Sequence, residues 1–120
     1  DGKKYATQGP TPELIEELIE DLDNDTRTMV ALDVRGRSCM MVIGGADGRV
    51  RVNYIPEDLE QPSQHLVDPE ANGDTIDLKM QSRAATYAMR HTVPKSIGVQ
   101  AMVLFTQSQA PSAELYWTND

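Results

Sequence analysis

Few residues in this chain have the type and spacing that chemistry needs. His65 and His91 are the two histidines, and neither has a second His or Cys at metal-ligand spacing. His65, Asp68 and Glu70 are close in sequence and are the one set from which a small metal site is conceivable. In a polar loop, however, His65 reads as a solvated histidine. Ser38 precedes Cys39 inside an apolar run, not on the strained turn that exposes a hydrolase nucleophile. Cys39 is the only cysteine, so no intrachain disulfide is possible, and in Cys39-Met40-Met41-Val42-Ile43 it reads as a small buried hydrophobe. Gly44-Gly45-Ala46-Asp47-Gly48 is glycine-rich, but it lies between two strand patterns and has no phosphate-loop lysine, so it reads as a hairpin return. Glu13, Glu16, Glu17 and Glu20 are plentiful carboxylates on a solvated helix face, whereas acid–base catalysis needs carboxylates in a partly dry cleft. No catalytic residue, metal ligand or cofactor motif emerges, and the chain is expected to be a non-catalytic binding protein.

Charge says more. The 120 residues hold 11 basic and 19 acidic side chains, a net charge of −8. That balance disfavours a sequence-independent grip on nucleic acid, which needs clustered Lys and Arg, and it disfavours anionic membrane surfaces. It favours a basic protein partner. From Pro56 to Leu78 the chain carries Glu57, Asp58, Glu60, Asp68, Glu70, Asp74 and Asp77 and no Lys or Arg. These seven acids are the candidate partner-binding residues, because opposed charge speeds association and selects the partner.

The elements that must position them read as one α+β domain over residues 11–120, preceded by a polar, flexible arm at 1–10 with no signal-peptide core. Thr11-Pro12-Glu13 opens a helix, with Thr as N-cap and Pro at the first position. Leu14, Ile15, Leu18, Ile19 and Leu22 make its apolar stripe, while Glu20 and Asp21 oppose the dipole at its end. Met29–Val34 and Ser38–Ile43 are strands joined by Arg35-Gly36-Arg37. Arg49–Ile55 alternates, Val50, Val52 and Tyr54 on one face and Arg49, Arg51 and Asn53 on a solvated one. Residues 56–74, with three prolines and little periodicity, read as a long functional loop. Thr75–Met80 is a further strand, and Gln81–Thr92 is compatible with helix or strand. Ser96 is expected to cap a second helix bearing Ile97, Ala101, Leu104 and Phe105, which stops at Ala110-Pro111. A last strand, Ala113–Thr118, turns Ala113, Leu115 and Trp117 inward. The expected architecture is an antiparallel sheet of about five strands with two helices packed on one face.

Taken in order, these segments resemble the type-one immunity proteins of bacterial polymorphic-toxin and contact-dependent growth inhibition systems. The resemblance runs from Thr11 to Trp117. It rests on Thr11-Pro12-Glu13-Leu14-Ile15, Met40-Met41-Val42-Ile43-Gly44-Gly45, Gly48-Arg49-Val50 and Val52-Asn53-Tyr54. His65-Leu66-Val67-Asp68-Pro69, Thr92-Val93-Pro94, Ala101 with Phe105, and Ala110-Pro111 before Leu115-Tyr116-Trp117 complete it. Members of that family often have a glycine pair and a Tyr-Pro where this chain has Gln81–Met89. The resemblance implies a cytoplasmic protein that blocks the active site of a cognate toxin domain, a nucleic-acid deaminase or a nuclease, without touching nucleic acid itself. A deaminase must admit an exposed base to its pocket, so a plug at the mouth silences it. Gly44, Gly45 and Trp117 are expected to be structural.

Overall fold

The computed structural model describes residues 10–33, 38–58, 60–80, 83–108 and 110–120. Residues 1–9 of the expected arm at 1–10, Val34 at the end of the first expected strand, and the return at 35–37 lie outside the described residues. Helix α1 spans Pro12–Glu20; the Thr11 hydroxyl accepts the Leu14 amide at 3.2 Å, the expected cap. Ile15, Ile19 and Leu22 are buried at helical spacing, each contributing about 1.5–3 kcal/mol by leaving water. The acids at the end of α1 are offset from a distance: Lys95 Nζ donates to the Glu20 and Leu22 carbonyls at 2.9 and 2.7 Å.

The main sheet is antiparallel, in the order β1 (Met29–Asp33), β2 (Cys39–Gly44), β3 (Arg49–Ile55), β4 (Gln64–Leu66), β8 (Trp117–Asn119), with the short β7 (Val93–Pro94) also on β3. Among the described residues it has six strands, in keeping with the expected α+β architecture of an antiparallel sheet of about five strands with two helices. A separate two-stranded ribbon pairs β5 (Thr75–Met80) with β6 (Arg83–Ala88). Helix α2 spans Lys95–Ser108 and lies with α1 on the sheet face that carries Met40, Val42, Val50, Val52 and Leu66. Gly98 allows the close approach: a Cβ there would meet Val50 Cγ2 at 3.0 Å. Phe105 is fully buried, with its ring edge-on to Tyr54 at 6.1 Å between centroids.

Several sequence expectations change. Residues 56–74 are not one loop, because β4 runs through them as an interior strand. Of the ambiguous stretch Gln81–Thr92, residues 81–82 lie outside the described residues, Arg83–Ala88 form β6 and Met89–His91 a short 3₁₀ turn. Ser96 lies inside α2, which starts at Lys95 as soon as β7 leaves the sheet. Leu104 is half-buried and Met102 takes its place in the core, with Gly98, Ala101 and Phe105. The last strand shortens to Trp117–Asn119 and leaves Ala113 exposed. Cys39 is half-buried, not buried. The glycine pair is structural for two reasons. Gly44 and Gly45 have φ of +109° and +111°, and added Cβ atoms would lie 2.7 Å from Leu78 Cδ2 and 2.5 Å from the Leu22 carbonyl oxygen.

Candidate functional site

The register of β3 places the acidic residues. Strand β4 runs antiparallel to β3, with Tyr54 opposite Gln64 and Asn53 opposite His65. Glu57, Asp58 and Glu60 therefore lie at the Ile55 end of the sheet, and Asp68, Glu70 and Asp74 at the Arg49 end. Six steps along β3 separate the two ends by about 20 Å. The run of seven acids is continuous in sequence and divided in space.

The Arg49 end gathers acids from other segments too. The turn after α1 brings Asp23 and Asp25, and the β2–β3 turn brings Asp47. Asp77 arrives on β5, whose backbone carbonyl accepts from Asn24 Nδ2 at 3.4 Å. Among the described residues, Asp47, Glu70, Asp74 and Asp77 make no ion pair and are exposed. Lys79 is engaged with Asp25 at 3.6 Å, and Arg27 with Asp21 at 3.2 Å.

These acids sit on ordered backbone. The Met89 amide donates to the Asp74 carbonyl at 2.8 Å and the Asp68 amide to the Arg90 carbonyl at 2.7 Å, tying the acidic segment to the Met89–His91 turn. The Glu70 amide donates to Asp68 Oδ1 at 3.0 Å, and Thr86 Oγ1 to Asp77 Oδ1 at 2.5 Å. Asp23 holds its own turn by accepting the amides of Arg27, Asp25 and Thr26. Those bonds, that from Arg27 first, keep its carboxyl far below the usual carboxylate range.

Asp68 is different from its neighbours. Its Oδ2 accepts from Arg49 Nη2 at 2.9 Å, and both side chains are less than one-fifth exposed. The same guanidinium donates to Thr92 Oγ1 at 2.9 Å and to the carbonyls of Thr92 and Met89 at 2.8 and 3.3 Å. The Arg49 bond lowers the Asp68 pKa, against the opposing effect of burial. Asp68 is thus an internal partner of Arg49, which removes it from the surface set. With Oδ2 on Arg49 and Oδ1 on the Glu70 amide, the Asp68 carboxylate is engaged on both oxygens.

The face of β3 read as solvated is in fact covered. Arg49 and Arg51 keep side-chain exposures of only 15% and 13%, because the Met89–His91 turn and β6 lie over them. Arg51 stacks its guanidinium 4.7 Å from the centroid of the Tyr87 ring. His65 is not a solvated loop residue either: it is 5% exposed on β4. Its Nδ1 lies 2.6 Å from Asp120 Oδ1 and its Nε2 lies 2.8 Å from His91 Nδ1, the two rings meeting edge to face. Asp120 Oδ1 is also 3.6 Å from Arg51 Nη2. Asn53 is on the same face, and its Oδ1 is buried without a partner among the described residues. This chain of Asp120, His65 and His91 escaped sequence reading, since its members are 26 and 55 residues apart. Among the described residues no group of three His, Cys, Asp or Glu side chains is placed to hold a metal ion.

On the helix side, a groove of about 420 Å³ runs between α1 and the outer edge of β1. Leu14, Leu18, Val30, Leu32 and Met102 line it, with Glu17 and Asp21 at its rim. Trp117 lies at the opposite edge, half-buried against the core, its Nε1 donating to the Ser112 carbonyl at 3.0 Å. Among the described residues no helix is long and apolar enough to cross a membrane. No family model, no curated protein and no solved structure matches the chain.

Proposed function

We propose that this protein is an immunity protein, which binds a cognate bacterial toxin domain in the cytoplasm and neutralises it by covering its active site. The target is a basic protein acting on nucleic acid, a deaminase or a nuclease. The observation that carries the reading is the Arg49 end of the sheet. There Asp47, Glu70, Asp74 and Asp77 are exposed and unpaired among the described residues, and hydrogen-bonded turns hold the backbone beneath them. An excess of charge of one sign, here with Arg90 as an exposed cation on the adjoining turn, speeds encounter with a basic surface and repels acidic competitors. Turns ordered before binding lose little entropy on binding. The ordered resemblance of the sequence to immunity proteins supplies the toxin as the kind of partner.

A second reading, a general protein-docking module with no toxin partner, is favoured by the apolar groove beside the open edge of β1.

Co-expression with the toxin domain encoded next to this chain tests the proposal: cells survive only when the chain is present. Interface placement is tested by three charge-neutralised variants. The first carries D47N, E70Q, D74N and D77N; the second E57Q, D58N and E60Q; the third E13Q, E16Q, E17Q and E20Q. The first should slow association about tenfold at low salt and flatten its salt dependence, with smaller effects from the others. A dominant effect of the helix variant would move the interface to the groove side. Survival without the chain would refute the toxin pairing.

A further inference from the structure

The acidic turn is fastened to the body of the protein through the Met89–His91 segment, and that segment ends in a shared histidine bond. We propose that Asp120, His65 and His91 form a pH-sensitive latch, which holds the Asp68–Asp74 turn in place at neutral pH and releases it on mild acidification. This rests on the immunity reading only for its biological consequence, the regulation of that docking surface.

The proton count follows from geometry. Asp120 can only accept in its ionised form, so His65 Nδ1 carries the proton in the 2.6 Å contact. In the neutral pair His65 Nε2 then accepts, and His91 Nδ1 donates to it across 2.8 Å. One added proton is tolerated, because one ring remains neutral and still offers an acceptor. A second makes every ring nitrogen a donor, and the His65–His91 bond is lost. The two rings share one bond, so the proton carried by either sets the role left to the other.

The groups facing the pair decide where the second step falls. Asp120, which follows β8, faces His65 with an acceptor and favours the first proton. Arg51 from β3 and Arg90 beside His91 oppose the second, as does the charge on His65 itself. Tyr87 from β6 holds Arg51 by its ring face, and Arg49 is neutralised by Asp68. Burial, then His65, then Arg90 and Arg51 lower the His91 pKa from the ordinary 6.5. The sign is therefore fixed: the latch is present above that value and lost as pH falls through the lowered one.

Opening removes the side-chain tie between the Met89–His91 turn and His65 on β4, and leaves the turn held by the Arg49 bond to the Met89 carbonyl. That turn carries the Met89 amide bonded to Asp74 and the Arg90 carbonyl bonded to Asp68. Acid therefore loosens the segment that presents Glu70 and Asp74.

The test uses the protein alone. Ring-nitrogen NMR signals of His65 and His91 are followed from pH 8 to 5, together with hydrogen exchange at the Met89 and Asp68 amides corrected for intrinsic rate. Two linked titration steps are expected, with about tenfold weaker protection of both amides after the second, the scale of one lost hydrogen bond. His91→Gln supplies an amide that can donate or accept at any pH, so its protection should be flat over the same range. Unchanged wild-type protection through both steps, or two histidines that titrate independently, would overturn the latch. So would the same acid loss persisting in folded His91→Gln. If that variant does not fold, the wild-type titration decides alone. A failed toxin pairing in co-expression would leave these readouts untouched, so the two readings fail separately.

Discussion

Replacing Arg49 with Met separates a structural acid from the docking acids beside it. Arg49 makes one bond to a carboxylate and three to the Thr92 hydroxyl and two carbonyls, and it is only 15% exposed. Hydrogen bonds to charged groups contribute roughly 1.5–3 kcal/mol each, and breaking a fully buried ion pair costs about 3–5 kcal/mol in total. With both partners retaining some solvent, a loss of about 3 kcal/mol is expected, a large share of the 5–15 kcal/mol typical of a domain. The midpoint of thermal unfolding should fall by about 10 °C. Asp68→Asn, which keeps an acceptor for the guanidinium, should cost about half as much, and Glu70→Gln almost nothing. The pH dependence gives an independent check. The Asp68 pKa is lowered from 3.8 in the folded protein. Its contribution is therefore present above 3.8 and lost as pH falls through the folded value. Urea unfolding at pH 7 and pH 3 should show the wild-type advantage over Arg49→Met shrinking at the lower pH. A difference below about 1 kcal/mol at neutral pH, or one that does not shrink in acid, would refute the assignment of Asp68 as a partner held by Arg49.

Two further outcomes follow from packing. Gly45→Ala should destabilise by about 2–4 kcal/mol, since its φ of +111° is strained for alanine and the new Cβ would lie 2.5 Å from the Leu22 carbonyl oxygen. Equilibrium urea unfolding followed by far-ultraviolet circular dichroism measures it, and a loss under 1 kcal/mol would mean that α1 is free to move off the turn. Trp117→Ala should cost about 3 kcal/mol, the low end for tryptophan because the ring is half-buried, and Trp117→Phe about 1 kcal/mol for the bond to Ser112. An unchanged melting temperature with lost partner binding would instead make Trp117 a contact residue.

What could be read from the sequence was whatever local chemistry decides. Thr11-Pro12 is enough to start α1, and Gly44-Gly45 is enough to demand a turn. The alternation of Arg49–Ile55 makes β3, and that alternation correctly separated the Val50–Val52–Tyr54 face from the other. It could not say what lies over the other face. The cover comes from Arg83–His91, within a stretch whose composition suits helix or strand equally, and a cation that looks solvated in sequence becomes the hub of a buried network once it arrives. His65 was misread for a related reason. Its strand has three residues, too few to show a period, and its partners are at positions 91 and 120.

Charge placement is the case where local reading goes furthest wrong in consequence. Seven acids in one run suggest one patch, because sequence distance stands in for spatial distance. An interior strand in the middle of the run reverses that relation. β4 carries the chain back along β3, so Glu57 and Glu70, thirteen residues apart, end at opposite ends of the sheet. Meanwhile Asp47 and Asp77, thirty residues apart, come to the same end through the β2–β3 turn and the packing of Leu78 on Gly44. The number of acids in a segment bounds the field it can make, and strand register decides where that field is. For a protein proposed to act by presenting charge to a basic partner, the docking surface is thus a property of the sheet topology, and substitutions that shift register should move it even where every acid is kept.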